Sequence, residues 1–150
     1  MSSIALPGTL EVRTHHSNSC KMAAMNAIAR NYTEALLTHH RRVCWPVSEE
    51  AAQITDATVR RCCLTYLDLF RLSSGTMPRF MGRFLDDVAR WCQNNRWPCL
   101  DSLVVNRKSG KPGDGYKTLH AGGLASWEKE VRLCIAFKKY PATTCESQFF

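Results

Sequence analysis

From Met25 onward the apolar positions fall into step. Met25, Ile28, Ala29, Tyr32, Leu36 and Leu37 recur at three- and four-residue intervals, which predicts a helix reaching about Arg42 and stopped by Trp45-Pro46. Ser48 is placed to cap a second helix, with Glu49 and Glu50 against its N-terminal dipole and Ala51, Ala52, Val59, Cys62 and Cys63 on its apolar side. A short helix is expected around Thr65 to Phe70, closed by Ser73-Ser74-Gly75. Met77-Pro78 then opens the most strongly periodic segment, with Met81, Phe84, Leu85, Val88, Trp91 and Cys92 inward and Asn94-Asn95 ending it. After Trp97-Pro98 the period changes to a short β-branched run, Leu103-Val104-Val105. A turn-rich basic loop from Asn106 to Gly115 leads to an expected return strand at Tyr116-Lys117. Ser126 is placed to cap a last helix with Trp127, Val131, Cys134 and Ile135 inward.

Residues 1–24 lack sustained periodicity and are expected to form a flexible arm, followed by a single domain over 25–140 and a polar tail over 141–150. The predicted class is α+β and mostly helical. Helix, turn, longer basic-flanked helix and strand-loop-strand, in that order, describe a winged helix-turn-helix, here with an N-terminal helical cap and a C-terminal helix.

Composition narrows the setting. With 150 residues, 45% of them hydrophobic, the chain can build one ordinary core. No window is apolar enough for a membrane span and the start lacks the features of a secretory signal, so a cytoplasmic protein without membrane contact is expected. The eight cysteines are scattered, two of them adjacent, which favours reduced thiols serving as small core hydrophobes. Net charge is +7, and the segment from Arg60 to Lys117 carries +6 of it, with eleven basic and five acidic residues. That placement points to phosphate-rich partners.

The residues of this segment resemble a family. Thr65-Tyr66-x-x-Leu69, Arg79-x-x-Gly82, Pro98-Cys99, Val104-Val105 and Gly110-x-x-Gly113-x-Gly115-Tyr116 are similar to the DNA-binding domain of O6-alkylguanine-DNA alkyltransferases and alkyltransferase-like proteins. The likeness covers about a third of the chain, residues 65–117. It implies that Tyr66 crowds a DNA phosphate while Arg79 enters the base stack from the minor groove, filling the gap left by an extruded base. Where the repair enzymes have Pro-Cys-His-Arg, this chain has Pro98-Cys99-Leu100-Asp101. Cys99 therefore lacks the base that would make it a thiolate and sits beside a negative charge, and extra residues separate it from Val104. The stretch from Trp97 to Tyr116 also resembles uncharacterised small bacterial and phage proteins, a likeness that implies no function.

These residues define the expected site. Arg79, Arg83, Arg107, Lys108 and Lys111 would contact phosphate or the minor groove, Tyr66 would press on the backbone, and Gly82 would permit a close approach. Each has a plain alternative: a half-buried core tyrosine for Tyr66, solvated cations for the basic residues, helix packing for Gly82, and a structural thiol for Cys99. His15, His16, Cys20, His39, His40, Cys62 and Cys63 make neither a Cys-x-x-Cys nor a His-x-x-x-His pair, so no metal and no cofactor is expected. The resulting reading is a non-enzymatic DNA-binding protein. Its rival is a phage- or plasmid-borne inhibitor that engages a host defence or DNA-processing protein, with Trp45, Trp97 and Trp127 among the contact candidates. A third reading is an alkyl-accepting repair protein acting through Cys99.

Overall fold

A computed structural model describes residues 16–73, 81–113, 115–116 and 120–144, with the side chains of 16–26 and of Met81 left out. Helix α1 spans His16–His39. It starts earlier than its apolar stripe, so residues 16–24 of the expected arm are helical. Ser17 to Met25 contain no glycine or proline, and the favourable Lys21-Met22-Ala23-Ala24 run lets a helix propagate past the amphipathic part.

Trp45-Pro46 does not stop the chain. Residues His40–Cys44 widen into a π turn in which the Trp45 N–H reaches back to His40 O, and helix α2, Trp45–Glu50, follows directly with proline in its first turn. Proline has no N–H to give, so the widened turn upstream and the N-terminal position downstream accommodate it. Ser48 consequently lies inside α2, where its hydroxyl donates to Trp45 O at 2.8 Å rather than capping a helix. The expected second helix is in fact two: Ala51 is extended, and α3 covers Asp56–Cys62 behind a reciprocal Thr55/Thr58 capping box.

Strand β1, Leu64–Thr65, runs straight into helix α4, Tyr66–Ser73. Thr65 and Asp68 cap that junction, each side chain accepting the other's backbone N–H at 3.1 Å. Helix α5 is described over Met81–Asn94. It ends where expected, and Arg96 beyond it has a left-handed φ of 60°. A 3₁₀ turn, Leu100–Leu103, precedes strand β2, Val104–Val105, and helix α6 spans Trp127–Ala136 after a second 3₁₀ turn at Gly123–Ala125.

The two strands pair in parallel, Leu64 with Val104 and Thr65 with Val105. This pairing corrects the strand-loop-strand expectation. Gly115 and Tyr116 are helical, and His120 N–H donates to Tyr116 O at 3.1 Å, so Tyr116 is not in a return strand. Helical spacing lets the Tyr116 ring stack on His120, at 3.9 Å between centroids, which an extended strand would forbid. The fold is thus mostly helical with a two-stranded parallel sheet.

The core lies where α1 packs on α4 and α5 and where the first 3₁₀ turn packs on α5 and α6. Leu36, Leu69, Val88, Trp91, Leu100 and Ile135 are fully buried there. All four expected inward residues of α6 are buried. Ser126 sits at its N-cap position but turns away, donating to Ala121 O at 2.9 Å. Of the six cysteines whose side chains are described, five are buried thiols, as their scattered placement suggested. No helix among the described residues is long and apolar enough to cross a membrane.

Candidate functional site

Two features meet around the first 3₁₀ turn: an exposed cationic loop after β2 and a buried polar cluster beneath it. The loop is closed by its own backbone. Asn106 N–H donates to Lys111 O at 2.7 Å and Gly110 N–H to Asn106 O at 2.8 Å, while the Asn106 side chain accepts from Lys108 N–H at 3.0 Å. Gly110 adopts φ 69°, the left-handed region that a turn of this kind assigns to glycine. Every residue from Asn106 to Lys111 is exposed. No ion pair involves Arg107, Lys108 or Lys111 among the described residues.

Tyr66 fastens this loop to α4. It is half-buried, and its hydroxyl accepts the Gly113 N–H at 3.1 Å. A Cβ on Gly113 would lie 3.1 Å from that oxygen, so the glycine permits the approach. Tyr66 is thus a packed tyrosine whose hydroxyl has a backbone partner. Gly82 behaves differently from the helix-packing alternative: it is exposed, and a Cβ there would meet nothing within 4 Å among the described residues. It opens onto a small cleft of about 60 Å³ whose walls include Tyr66, Asp86, Asp101 and Tyr116. Arg83 is exposed on the same helix and already engaged. Arg79 lies outside the described residues.

The cluster beneath was not anticipated. Asp101 Oδ2 and His120 Nε2 are 2.9 Å apart, with side chains 7% and 8% exposed respectively. Asp101 Oδ1 is buried with no hydrogen-bond partner among the described residues. The Tyr116 ring covers His120, and its hydroxyl pairs with Ser102 Oγ at 2.8 Å. Trp127 Nε1 donates to Ser102 O at 2.8 Å, which anchors α6 to the turn. Glu130, also from α6, accepts the Cys99 N–H at 2.7 Å. The residues that looked like an insertion between Cys99 and Val104 are therefore the buried 3₁₀ turn that carries Asp101 and Ser102 into this cluster.

The charges follow from burial and pairing. Burial pushes the Asp101 carboxyl above its ordinary value, against the pull of His120. For His120, burial disfavours the imidazolium, but the Asp101 hydrogen bond together with the charges of Asp101, Glu130 and Asp86 outweighs it and raises the group. Cys99 is a buried thiol raised well above a free cysteine, first by burial and then by the neighbouring Asp101. That is the opposite of an activated nucleophile. Sequence reasoning had Asp101 only as an unfavourable neighbour of Cys99 and passed over His120, because a pair 19 residues apart leaves no spacing signal.

Two expectations follow. Trp127→Phe should lower stability by about 1–3 kcal/mol in chemical denaturation, because it leaves the buried Ser102 carbonyl unsatisfied. Raised folded-state values for His120 and Asp101 give stability that is fully present at low pH and lost as pH rises through them. The stability difference between the wild type and His120→Gln should accordingly be largest below the ordinary histidine value of about 6.5 and shrink as pH rises above it. Taking the difference matters because His40 works the other way. Burial lowers the His40 value although its Nε2 donates to Cys134 O at 2.7 Å, so its own contribution is lost as pH falls.

Comparison of the chain with protein-family models, with curated proteins and with solved structures finds no match.

Proposed function

We propose that this chain is a non-enzymatic DNA-binding protein that grips phosphate with the loop from Asn106 to Lys111. The observation that carries the reading is the set of three exposed cations, Arg107, Lys108 and Lys111, on a loop held closed by its backbone and by Tyr66. A loop whose backbone is already held loses little backbone freedom on meeting a phosphate, and its exposed cations are accessible to one. Arg83 and the open face of α5 at Gly82 extend the surface, and Arg79, which lies outside the described residues, is assigned the base-stack role that the alkyltransferase-like resemblance implies. In this reading α4, α5 and the loop together act as the winged helix, with a hydrogen-bonded loop in place of a paired wing. Tyr66 braces the loop from below. The burial of Cys99 supports binding without alkyl transfer.

Gly82→Ala tests the docking face without removing a charge. Since its Cβ would meet nothing within 4 Å among the described residues, the substitution should raise stability by up to about 1 kcal/mol through helix propensity. Fluorescence anisotropy with a plain duplex and one bearing O6-methylguanine should show weaker binding by this variant to both. Unchanged affinity would remove Gly82 from the interface. Absence of wild-type binding to either duplex at low salt would overturn the DNA reading and leave an acidic host protein as the partner for the loop.

A further inference from the structure

We propose that Cys99, Asp101 and His120 form a zinc-binding site that ties together the two ends of the segment carrying the basic loop. One ligand atom from each, a thiol sulfur, a carboxylate oxygen and an imidazole nitrogen, lie within 4.8 Å of one another. This is the mixed soft and borderline donor set that zinc takes from proteins. An independent observation points the same way: Asp101 is 7% exposed, and its Oδ1 is buried without a hydrogen-bond partner among the described residues. An orphaned buried carboxylate oxygen is costly, and a cation is the ligand that satisfies it most fully.

The surroundings are built for a cation. Glu130 and Asp86 add negative charge around His120, so this pocket is locally acidic in a chain of net charge +7. The ligands are also held from outside. Tyr116 stacks on the His120 ring at 3.9 Å, and Glu130 accepts the Cys99 N–H at 2.7 Å. Such outer partners orient metal ligands and sustain affinity.

Binding requires modest rearrangement. Zinc bonds of about 2.0–2.3 Å place tetrahedral ligands some 3–4 Å apart. The 2.9 Å Asp101–His120 hydrogen bond therefore opens as the ion enters between its partners, and Cys99 closes in. The Cys99 thiol gives up its proton to solvent as its sulfur bonds the ion, and His120 binds as the neutral imidazole. Three protein ligands leave a fourth position, which a water molecule fills. The ion would join residues before the loop, Cys99 and Asp101, to His120 after it. This inference does not depend on the nucleic-acid reading.

The test is a titration of the reduced, metal-free full chain with Co²⁺, followed by competition with Zn²⁺. Stoichiometric binding with a thiolate-to-cobalt charge-transfer absorption is expected, displaced by zinc, and zinc should raise the thermal midpoint. Cys99→Ser should abolish the absorption. Asp101→Asn and His120→Gln should each weaken binding by more than the roughly 10- to 100-fold that loss of an outer partner costs. Cys62→Ser, a buried thiol elsewhere in the core, should leave it intact. No thiolate band in the wild-type chain would overturn the proposal whether or not any variant folds. So would a band that survives Cys99→Ser or vanishes only with Cys62→Ser.

Discussion

Replacing Arg107, Lys108 and Lys111 together by glutamine should weaken duplex binding by about 100-fold near physiological salt. Counterion release makes each neutralised phosphate contribute a slope of about 0.9 in log affinity against log salt, so three lost contacts sum to about two decades at such salt. Stability should change little, because all three side chains are exposed and none is in an ion pair among the described residues. Anisotropy with a short duplex and a denaturation curve check the two halves of this prediction. The pairing of large affinity loss with intact folding is what separates a phosphate-gripping loop from cations that merely keep a surface solvated.

The second large effect concerns the core behind the site. Trp91 is 1% exposed, and its ring meets Trp97 edge-on at 5.1 Å. Trp97 in turn packs at 6.0 Å on Tyr140, whose hydroxyl donates to Pro98 O at 2.6 Å. This aromatic chain links α5 to the irregular segment after α6 that carries Tyr140 and sets the entry into the 3₁₀ turn. Trp91→Ala should cost about 3–5 kcal/mol, a large share of the 5–15 kcal/mol that holds an ordinary domain together. Thermal unfolding should show a strongly lowered midpoint, and the environment of His120 should loosen with it. Among the aromatics considered as partner contacts, Trp127 is buried and Trp97 belongs to this cluster. Trp45 is partly covered by Lys138, whose ammonium lies 4.8 Å from its ring centroid.

Legibility in the sequence followed the length of the periodic signal. Helices α5 and α6 each present several apolar residues at regular steps, so the burial of Leu85, Val88, Trp91 and Cys92 on α5 and of all four inward residues on α6 was readable, as was the end of α5 at Asn94. The region between Trp45 and Thr65 was not, because its elements are too short for a period to establish itself. Proline there marks a π turn followed by a helix start, two outcomes that share a single residue signal. The parallel pairing of Leu64–Thr65 with Val104–Val105 is nonlocal and only two residues long on each side. A turn-rich loop after Val105 therefore read as half of a local hairpin. Within the site, the exposed cations of the loop were evident from the clustering of basic residues. Asp101 and His120 were not, since they come together only because the buried 3₁₀ turn and Tyr116 bring them into contact.

The central claim is that the loop binds nucleic-acid phosphate, and the salt dependence of duplex affinity tests it most directly. Wild-type protein should give a linear fall of log affinity with log salt, and the triple glutamine variant should give a line flatter by about 2–3 units of slope. Equal slopes for the two proteins would contradict the account.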